Sequence, residues 1–348
     1  MTARRKRTGI AAMCRSLTRP LGVLAVCSCL LISLAACAPA GDAEPESRGA
    51  AEPADSPELS VDPAGQVRDL ASNPEGVVFD AVTGLLAVAV REPNRLLLVD
   101  GATGGIQAEV VLPGHARHLQ LAAPGGPVLV PGEDSNTLIQ VALPTGEMTT
   151  TEVGEYPHDA TQVGSGRIVV GDEMGGTLSV IENGEVIQTF DDLTQPGGLA
   201  AVDDRVGVVD VADFSLSVYD IAAGERLGRV PAGAGPTHLV ADIRGNLLVA
   251  DTRGDALLSF SVDPLELLWS LPLPGTPYGL AYAATADVVW VTLTATNEVV
   301  GFDLSDGEPK ELARFPTVRQ PNTVAIDPVS RRIFVVGRMT GVLQTIDF

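Results

Sequence analysis

The chain has 348 residues and a formal net charge of −21, from 23 basic and 44 acidic residues. This balance argues against nucleic acid as a partner and against adhesion to anionic lipid through surface charge, because both need a basic surface. Residues 1–36 hold six of the basic residues and none of the acidic ones, so their removal would leave 17 basic residues against 44 acidic residues.

The first 36 residues have the three parts of a secretory signal. A basic start is followed by an apolar segment, residues 21–34, that is too short to span a bilayer, and then by Leu34-Ala35-Ala36-Cys37. The last four residues resemble the lipobox of bacterial lipoproteins. The resemblance implies cleavage before Cys37, acylation of Cys37 with palmitate-type chains, and a position on the extracytoplasmic face of the cell membrane. An ordinary cleaved signal with a chance cysteine is the alternative, and Met1 and Met13 are both candidate starts.

Removal of residues 1–36 would leave Cys37 as the one cysteine, so no disulfide is expected. Residues 37–60 are rich in alanine, proline, glutamate, glycine and serine and contain almost no large apolar side chains. Such a segment buries too little apolar surface to offset the entropy lost on ordering. We predict a lipidated, disordered tether over residues 37–60 and a folded domain over residues 61–348.

Seven segments of that domain share one pattern and begin at regular intervals. They start at Pro74, Ala116, Pro157, Pro196, Pro236, Pro277 and Pro321. The shortest interval, from Pro157 to Pro196, is 39 residues, and the longest, from Pro277 to Pro321, is 44. Each segment contains short apolar runs bounded by turn residues, which is typical of antiparallel strands, and helical periodicity is nearly absent.

Four strands in a repeat of this length predict one blade of a β-propeller. The fold class is therefore all-β, a seven-bladed β-propeller of four-stranded antiparallel blades. The last repeat ends at Phe348 after its third strand, whereas residues 66–70 form a strand-like segment just before Pro74. We predict that this N-terminal strand closes the last blade, which removes an unpaired sheet edge.

The repeats resemble the NHL and YVTN-type (YncE-like) propeller repeats over residues 63–348. The match is good from Pro277 through Asp303 to Gly307, and from Pro236 to Thr252. The resemblance implies the propeller fold and leaves the function open, because this fold carries many activities.

In such a blade, the loops that lead into the inner strand and the loops between the second and third strands lie on one face, here called the upper face. The candidate ligand-binding residues on these loops are Glu75, Arg117, His118, Glu133, His158, Asp159, Asp172, Glu173, His238, Asp251, Tyr278 and Asn322. Three histidines, His118, His158 and His238, fall at the predicted mouth of the central channel, which is the clearest functional indication in the sequence.

Imidazole and carboxylate groups together suit a divalent transition metal or acid–base catalysis. Channel mouths are polar in propellers of many functions, however, and no spacing such as His-x-x-x-His occurs. We therefore assign no metal ligands and no cofactor, and leave a divalent metal as an open alternative.

Two enzyme families share part of this pattern. Glu75-Gly76 and the strand after it distantly resemble the opening of gluconolactonase-type propellers, whose glutamate binds a divalent cation, although those proteins have six blades. Streptogramin lyases are seven-bladed and use a histidine and a glutamate on this face, but their active-loop pattern has no clear counterpart here.

We expect a lipid-anchored protein that binds an envelope protein, a peptide or a glycan through its upper face without catalysis. The alternative is a metal-dependent hydrolase, lactonase or lyase that uses histidine, glutamate and aspartate at the channel mouth.

Overall fold

The computed structural model describes residues 49–348, and their strands form seven four-stranded antiparallel sheets. The predicted seven-bladed β-propeller is confirmed. The predicted signal peptide, Cys37 and the first part of the tether lie outside the described residues. Within residues 49–348, no helix has the length and apolar character needed to cross a membrane.

The strands of each blade run from the central channel outward. The inner strands are β2 (Pro74–Asp80), β6 (Gln120–Leu121), β10 (Pro157–Gln162), β14 (Pro196–Val202), β18 (Pro236–Ala241), β22 (Pro277–Ala283) and β26 (Thr323–Asp327). The second strands are β3 (Leu85–Val90), β7 (Val128–Gly132), β11 (Ile168–Asp172), β15 (Arg205–Asp210), β19 (Leu247–Asp251), β23 (Val288–Leu293) and β27 (Arg332–Gly337).

The third strands are β4 (Arg95–Asp100), β8 (Thr137–Val141), β12 (Thr177–Glu182), β16 (Ser215–Asp220), β20 (Ala256–Val262), β24 (Glu298–Asp303) and β28 (Val342–Asp347). The outer strands are β5 (Ile106–Val111), β9 (Met148–Glu152), β13 (Glu185–Phe190), β17 (Glu225–Pro231), β21 (Leu265–Pro272), β25 (Lys310–Pro316) and β1 (Gln66–Asp69). One short 3₁₀ helix, Glu133–Ser135, follows β7 on the upper face.

The apolar core lies between neighbouring blades and consists mainly of their second and third strands. Val209 and Leu216 of blade 4, for example, pack in one buried cluster with Leu247 and Val249 of blade 5. Burial of each such side chain contributes roughly 1.5–3 kcal/mol. Because the β-branched runs bury both faces of these strands, the ring needs no disulfide to hold its blades together.

The last blade contains both ends of the described chain. Strand β1 pairs antiparallel with β28, with Gln66 opposite Thr345 and Asp69 opposite Val342. The first strand therefore occupies the outer position that the last repeat leaves empty.

Residues 49–58 differ from the free tether that their composition predicts. They lie against the upper face, where Ala51 and Ser56 are buried and the Ser56 hydroxyl donates to the carbonyl of Thr294 over 2.5 Å. The backbone groups of this segment are bound by side chains of the propeller, so its small side chains do not prevent ordering. We call residues 49–58 the strap.

A buried carboxylate joins blade 1 to blade 2. Asp80, which is 1% exposed, accepts hydrogen bonds from the amide and hydroxyl of Thr83 on Oδ2 and from the amide of Gly125 on Oδ1. Burial raises the pKa of Asp80, but these hydrogen bonds outweigh burial and hold the pKa below its ordinary value.

We expect Asp80→Asn to lower the free energy of unfolding at pH 7 by about 1–3 kcal/mol, because an amide keeps only one acceptor oxygen. Since the folded pKa is lowered, the carboxylate stabilises the fold above its unfolded pKa and loses this effect as pH falls through the folded pKa. Urea unfolding should therefore show a smaller difference in free energy of unfolding between wild type and Asp80→Asn near pH 3 than at pH 7. Asp100→Asn is the control, because all three bonds to Asp100 reach Oδ1, which asparagine retains.

Candidate functional site

Equivalent positions of the seven repeats form two rings on the upper face. The first ring is the second residue of each repeat, namely Glu75, Arg117, His158, Gly197, Thr237, Tyr278 and Asn322. The second ring is the residue after each second strand, namely Arg91, Glu133, Glu173, Val211, Thr252, Thr294 and Arg338. The charged members come from blades 7, 1, 2 and 3, and the members from blades 4, 5 and 6 are uncharged. The upper face therefore has a charged half and a neutral half.

Glu133 is the centre of the charged half and is fully buried. Its Oε1 lies 2.9 Å from Nδ1 of His158 and 3.4 Å from Nε of Arg117. Its Oε2 lies 2.7 Å from Nε2 of His115 and 3.5 Å from Nη2 of Arg91. Burial raises the pKa of Glu133, but the hydrogen bond and charge of His158 and the charges of the arginines outweigh burial and lower it. A carboxylate can be buried here because cationic groups surround it.

His158 lies between two buried carboxylates. Its Nδ1 is 2.9 Å from Glu133 and 3.3 Å from Oε2 of Glu173, whose other oxygen accepts a hydrogen bond from Gln195 over 2.8 Å. Burial lowers the pKa of His158, but the hydrogen bond to Glu133 and the charges of Glu173 and Glu133 outweigh burial and raise it above its ordinary value. The two carboxylates therefore favour the protonated form of this imidazole.

Glu75 is the third carboxylate of the site, and two arginines, Arg91 and Arg338, lie against it. Arg91 Nη2 lies 3.0 Å from Glu75, and Arg338 Nε lies 3.5 Å from the other oxygen of Glu75. Nε and Nη2 of Arg91 and Nε of Arg117 are buried without a well-aligned hydrogen-bond acceptor among residues 49–348. The more exposed guanidinium groups are those of Arg117 and Arg338, whose side chains are 28% and 42% exposed. We call Glu75, Arg91, His115, Arg117, Glu133, His158, Glu173 and Arg338 the mouth cluster.

Two further histidines meet beneath the mouth cluster. Nε2 of His118 lies 2.9 Å from Nε2 of His238, so one imidazole donates a hydrogen bond and the other accepts it. Burial lowers the pKa of His118 well below its ordinary value and, helped by the charge of His158, lowers the pKa of His238 to about 3. Both rings are therefore neutral at pH 7. The ring of His118 is also 4.5 Å from that of His158, and Tyr278 packs edge-on against His238 at 4.3 Å.

The central channel contains a cavity of about 460 Å³ below this pair. Its walls are the inner strands, with Val77 and Leu239 among the apolar residues, and His118 and His238 lie at its upper end. The walls also include polar side chains, among them Gln120, Asp159 and Thr161, so the channel below the two neutral imidazoles is of mixed polarity.

Two of the predicted site residues, Asp159 and Asp251, serve the fold. Asp159 accepts hydrogen bonds from the amides of Ala160 and Leu199 and from the side chain of Gln120, while burial raises its pKa to about 6. Asp251 accepts from the backbone amides of Ala234, Gly235 and Gly254. These carboxylates bind backbone of neighbouring strands and loops and do not face the mouth cluster.

Asp172 and Asn322 also bind within the protein, and each keeps one buried polar atom, Oδ1 of Asp172 and Nδ2 of Asn322, without a hydrogen-bond partner among residues 49–348. Asp172 accepts hydrogen bonds from the hydroxyls of Thr177 and Ser179, and burial raises its pKa to about 6. The side-chain oxygen of Asn322 accepts a bond from Gln320. The structure instead adds Arg91, His115 and Arg338 to the site. Alignment of the repeats could have identified Arg91 and Arg338, because each follows the second strand of its repeat, as Glu133 and Glu173 do.

Comparison with known proteins defines the fold and leaves the family open. No protein-family model matches the chain, and a search of curated proteins finds no match. Among solved structures, hydrazine synthase of Kuenenia stuttgartiensis is similar over 80% of this chain and 96% of that chain, with 15% identity and a TM-score of 0.70. Virginiamycin B lyase of Staphylococcus aureus is similar over 81% of this chain and 99% of that chain, with 14% identity and a TM-score of 0.69. The chain thus shares the architecture of seven-bladed streptogramin lyase-like propellers.

Proposed function

We propose that this chain is a lipid-anchored protein of the extracytoplasmic membrane face that binds an anionic ligand at its mouth cluster. The observation that carries the proposal is the group of three arginines, Arg91, Arg117 and Arg338, of which Arg117 and Arg338 are partly exposed at the open side of the mouth cluster. With His158 protonated, these groups exceed the charges of the three cluster glutamates by one, in a chain whose net charge is −21. A local positive excess in an acidic protein favours a carboxylate or similar anion, which planar guanidinium groups bind well.

The ligand that fits is a carboxylate-bearing group of a peptide, protein or envelope glycan. The charged half supplies donors at its open side, where Arg117 and Arg338 are partly exposed. The buried glutamates hold the guanidinium groups in place, so the ligand meets a preorganised site and little side-chain entropy is lost on binding.

Binding can be tested by thermal unfolding with phosphate, citrate and an acidic peptide as probes. We expect at least one probe to raise the Tm of the wild-type protein by about 2 °C or more. Arg117→Gln and Arg338→Gln should reduce that shift. Arg95→Gln is the control, because Arg95 pairs with Glu109 on an outer strand, and it should leave the shift unchanged. Equal shifts in all variants, or no shift with any probe, would contradict an anion site at the mouth.

The anchor is tested separately at Cys37, which follows Leu34-Ala35-Ala36. Cys37→Ser is expected to leave the protein unprocessed or to release it from the membrane, because serine cannot receive the thioether-linked lipid. Cys29→Ser, within the signal segment, should retain normal processing and membrane association. A Cys37→Ser protein that remains membrane-bound at the mature mass would show that the anchor assignment is wrong.

A metal-dependent hydrolase, lactonase or lyase is the second candidate. One ligand atom from each of Glu133, His158 and Glu173 lies within 4.8 Å of the others, a donor set that suits a divalent transition metal. One similar structure is a catalytically inactive virginiamycin B lyase with quinupristin, at 14% identity. Anion binding is favoured, however, because Arg91, Arg117 and His158 already pair with Glu133, and His158 also contacts Glu173. Elemental analysis decides: stoichiometric metal that is lost in Glu173→Gln would favour the enzyme.

A further inference from the structure

The strap lies on the upper face and is held there by side chains of blades 5 and 6 and of the loop that leads into blade 7. Arg253 donates to the carbonyl of Gly49 over 2.7 Å at one end of the strap. Asn297 donates to the carbonyl of Pro57 over 3.0 Å at the other end. The mouth cluster, on the charged half of the same face, makes none of these contacts.

The central part of the strap is recognised through its backbone. The side-chain amide of Gln320 donates to the carbonyl of Ala54 over 2.8 Å and accepts from the amide of Ser56 over 3.0 Å. The hydroxyl of Thr294 accepts from the amide of Ala54 over 3.0 Å, and Arg319 donates to the carbonyl of Ser56 over 2.9 Å. This pairing with alternate backbone groups is how a protein binds an extended peptide of varied sequence.

Two shallow positions restrict which side chains fit. Ser56 is 1% exposed, with its hydroxyl bonded to the carbonyl of Thr294, and the methyl group of Ala51 is buried beside Gly235. The residues between them, Glu52 and Asp55 included, are more open to solvent. The groove therefore accepts small residues at two positions and tolerates acidic and proline residues between them.

The hold on the strap is polar and leaves it displaceable. Only Ala51 and Ser56 are buried within residues 49–58, so no large apolar side chain anchors the segment. Each hydrogen bond contributes only about 0.5–1.5 kcal/mol net. Segments with few apolar contacts open at a lower free energy than the blades beneath them.

We propose that the surface beneath the strap is a peptide-binding groove, that the strap is its intramolecular occupant, and that an extended, proline-containing acidic segment of a partner protein displaces the strap. The partner segment would carry small residues at the positions of Ala51 and Ser56. The groove is separate from the mouth cluster, so this inference does not depend on the anion site.

The test uses the full chain and a fluorescent peptide with the sequence of residues 49–58. Ser56→Leu should expel the strap, because leucine does not fit the buried position. The variant should then bind the peptide about tenfold or more tightly than wild type. In the wild-type protein the strap competes with the peptide at a millimolar effective concentration. Asp55→Leu is the matched control, because Asp55 is exposed, and it should bind as weakly as wild type. Ser56→Ala, a milder change, should give an intermediate affinity, so the order of the three proteins tests the idea even where Ser56→Leu folds poorly.

The groove side of the contact is tested by Gln320→Ala in the Ser56→Leu background, which should weaken the peptide about tenfold. Equal affinities for wild type and both Ser56 variants would overturn the proposal, as would peptide binding that is insensitive to Gln320→Ala. A stable dimer of the wild-type protein held by exchanged straps would assign the groove to a second copy of this chain and overturn the partner-peptide assignment.

Discussion

Replacement of Glu133 by alanine is expected to lower the free energy of unfolding by about 3–5 kcal/mol, the usual cost of removing one partner of a buried ion pair. The carboxylate is fully buried and contacts His115, His158, Arg91 and Arg117. Without it, the guanidinium groups of Arg91 and Arg117 lose a shared counter-charge in a site where water replaces the lost partner only in part. Urea unfolding at pH 7 measures the effect directly.

Glu182→Ala is the matched control for this prediction. Glu182 is 45% exposed at its side chain and pairs with Arg167 over 2.9 Å, so its loss should cost less than about 1 kcal/mol. Glu133→Gln should fall between the two, since glutamine keeps the shape and one acceptor but loses the charge. If Glu133→Ala and Glu182→Ala cost the same, the mouth cluster does not depend on its central carboxylate.

Disruption of the strand that completes the last blade is expected to have the second large effect. Gly65, just before β1, has a φ of +71°, and a Cβ added there would lie 2.1 Å from the carbonyl oxygen of Thr345 on β28. Gly65→Ala must therefore move β1 away from β28. We expect a loss of several kcal/mol, a lower Tm and aggregation through the exposed edge of β28.

Gly84→Ala is the control that separates the steric clash at Gly65 from the backbone strain that any alanine with positive φ causes. Gly84 has the same φ of +71°, but a Cβ there would meet nothing within 4 Å, so its cost should be only the roughly 1–2 kcal/mol of a left-handed alanine. A chain that begins at Asn73 should reproduce the Gly65→Ala defect, whereas a chain that begins at Asp62 lacks the strap but keeps β1 and should remain soluble. Equal stability of the Gly65→Ala and Gly84→Ala proteins would argue against closure by β1.

The fold was predictable because the repeats carry local signals. The repeats have a turn before the inner strand and a buried apolar second strand such as Val288–Leu293, which can be buried only if another blade covers it. Strand β1 could be located because the last repeat stops one strand short.

The site was predictable only in part, because sequence position identifies a loop and not the partner of its side chain. Asp172 and Glu173 are adjacent in sequence, but the first bonds to Thr177 and Ser179 while the second faces His158. The strap could not be predicted, because composition indicates only how much apolar surface a segment can bury. It does not reveal that Gln320 and Thr294 offer bonds to any extended backbone.

The contact between His118 and His238 has a consequence for communication across the ring. A single proton is shared between two Nε2 atoms that belong to residues 120 positions apart, in blades 2 and 5. When His118 donates, Nδ1 of His118 becomes the acceptor of its ring and Nδ1 of His238 becomes a donor; the opposite tautomers reverse both polarities. A hydrogen-bond partner at Nδ1 of one imidazole would thereby fix which nitrogen of the other imidazole carries its proton.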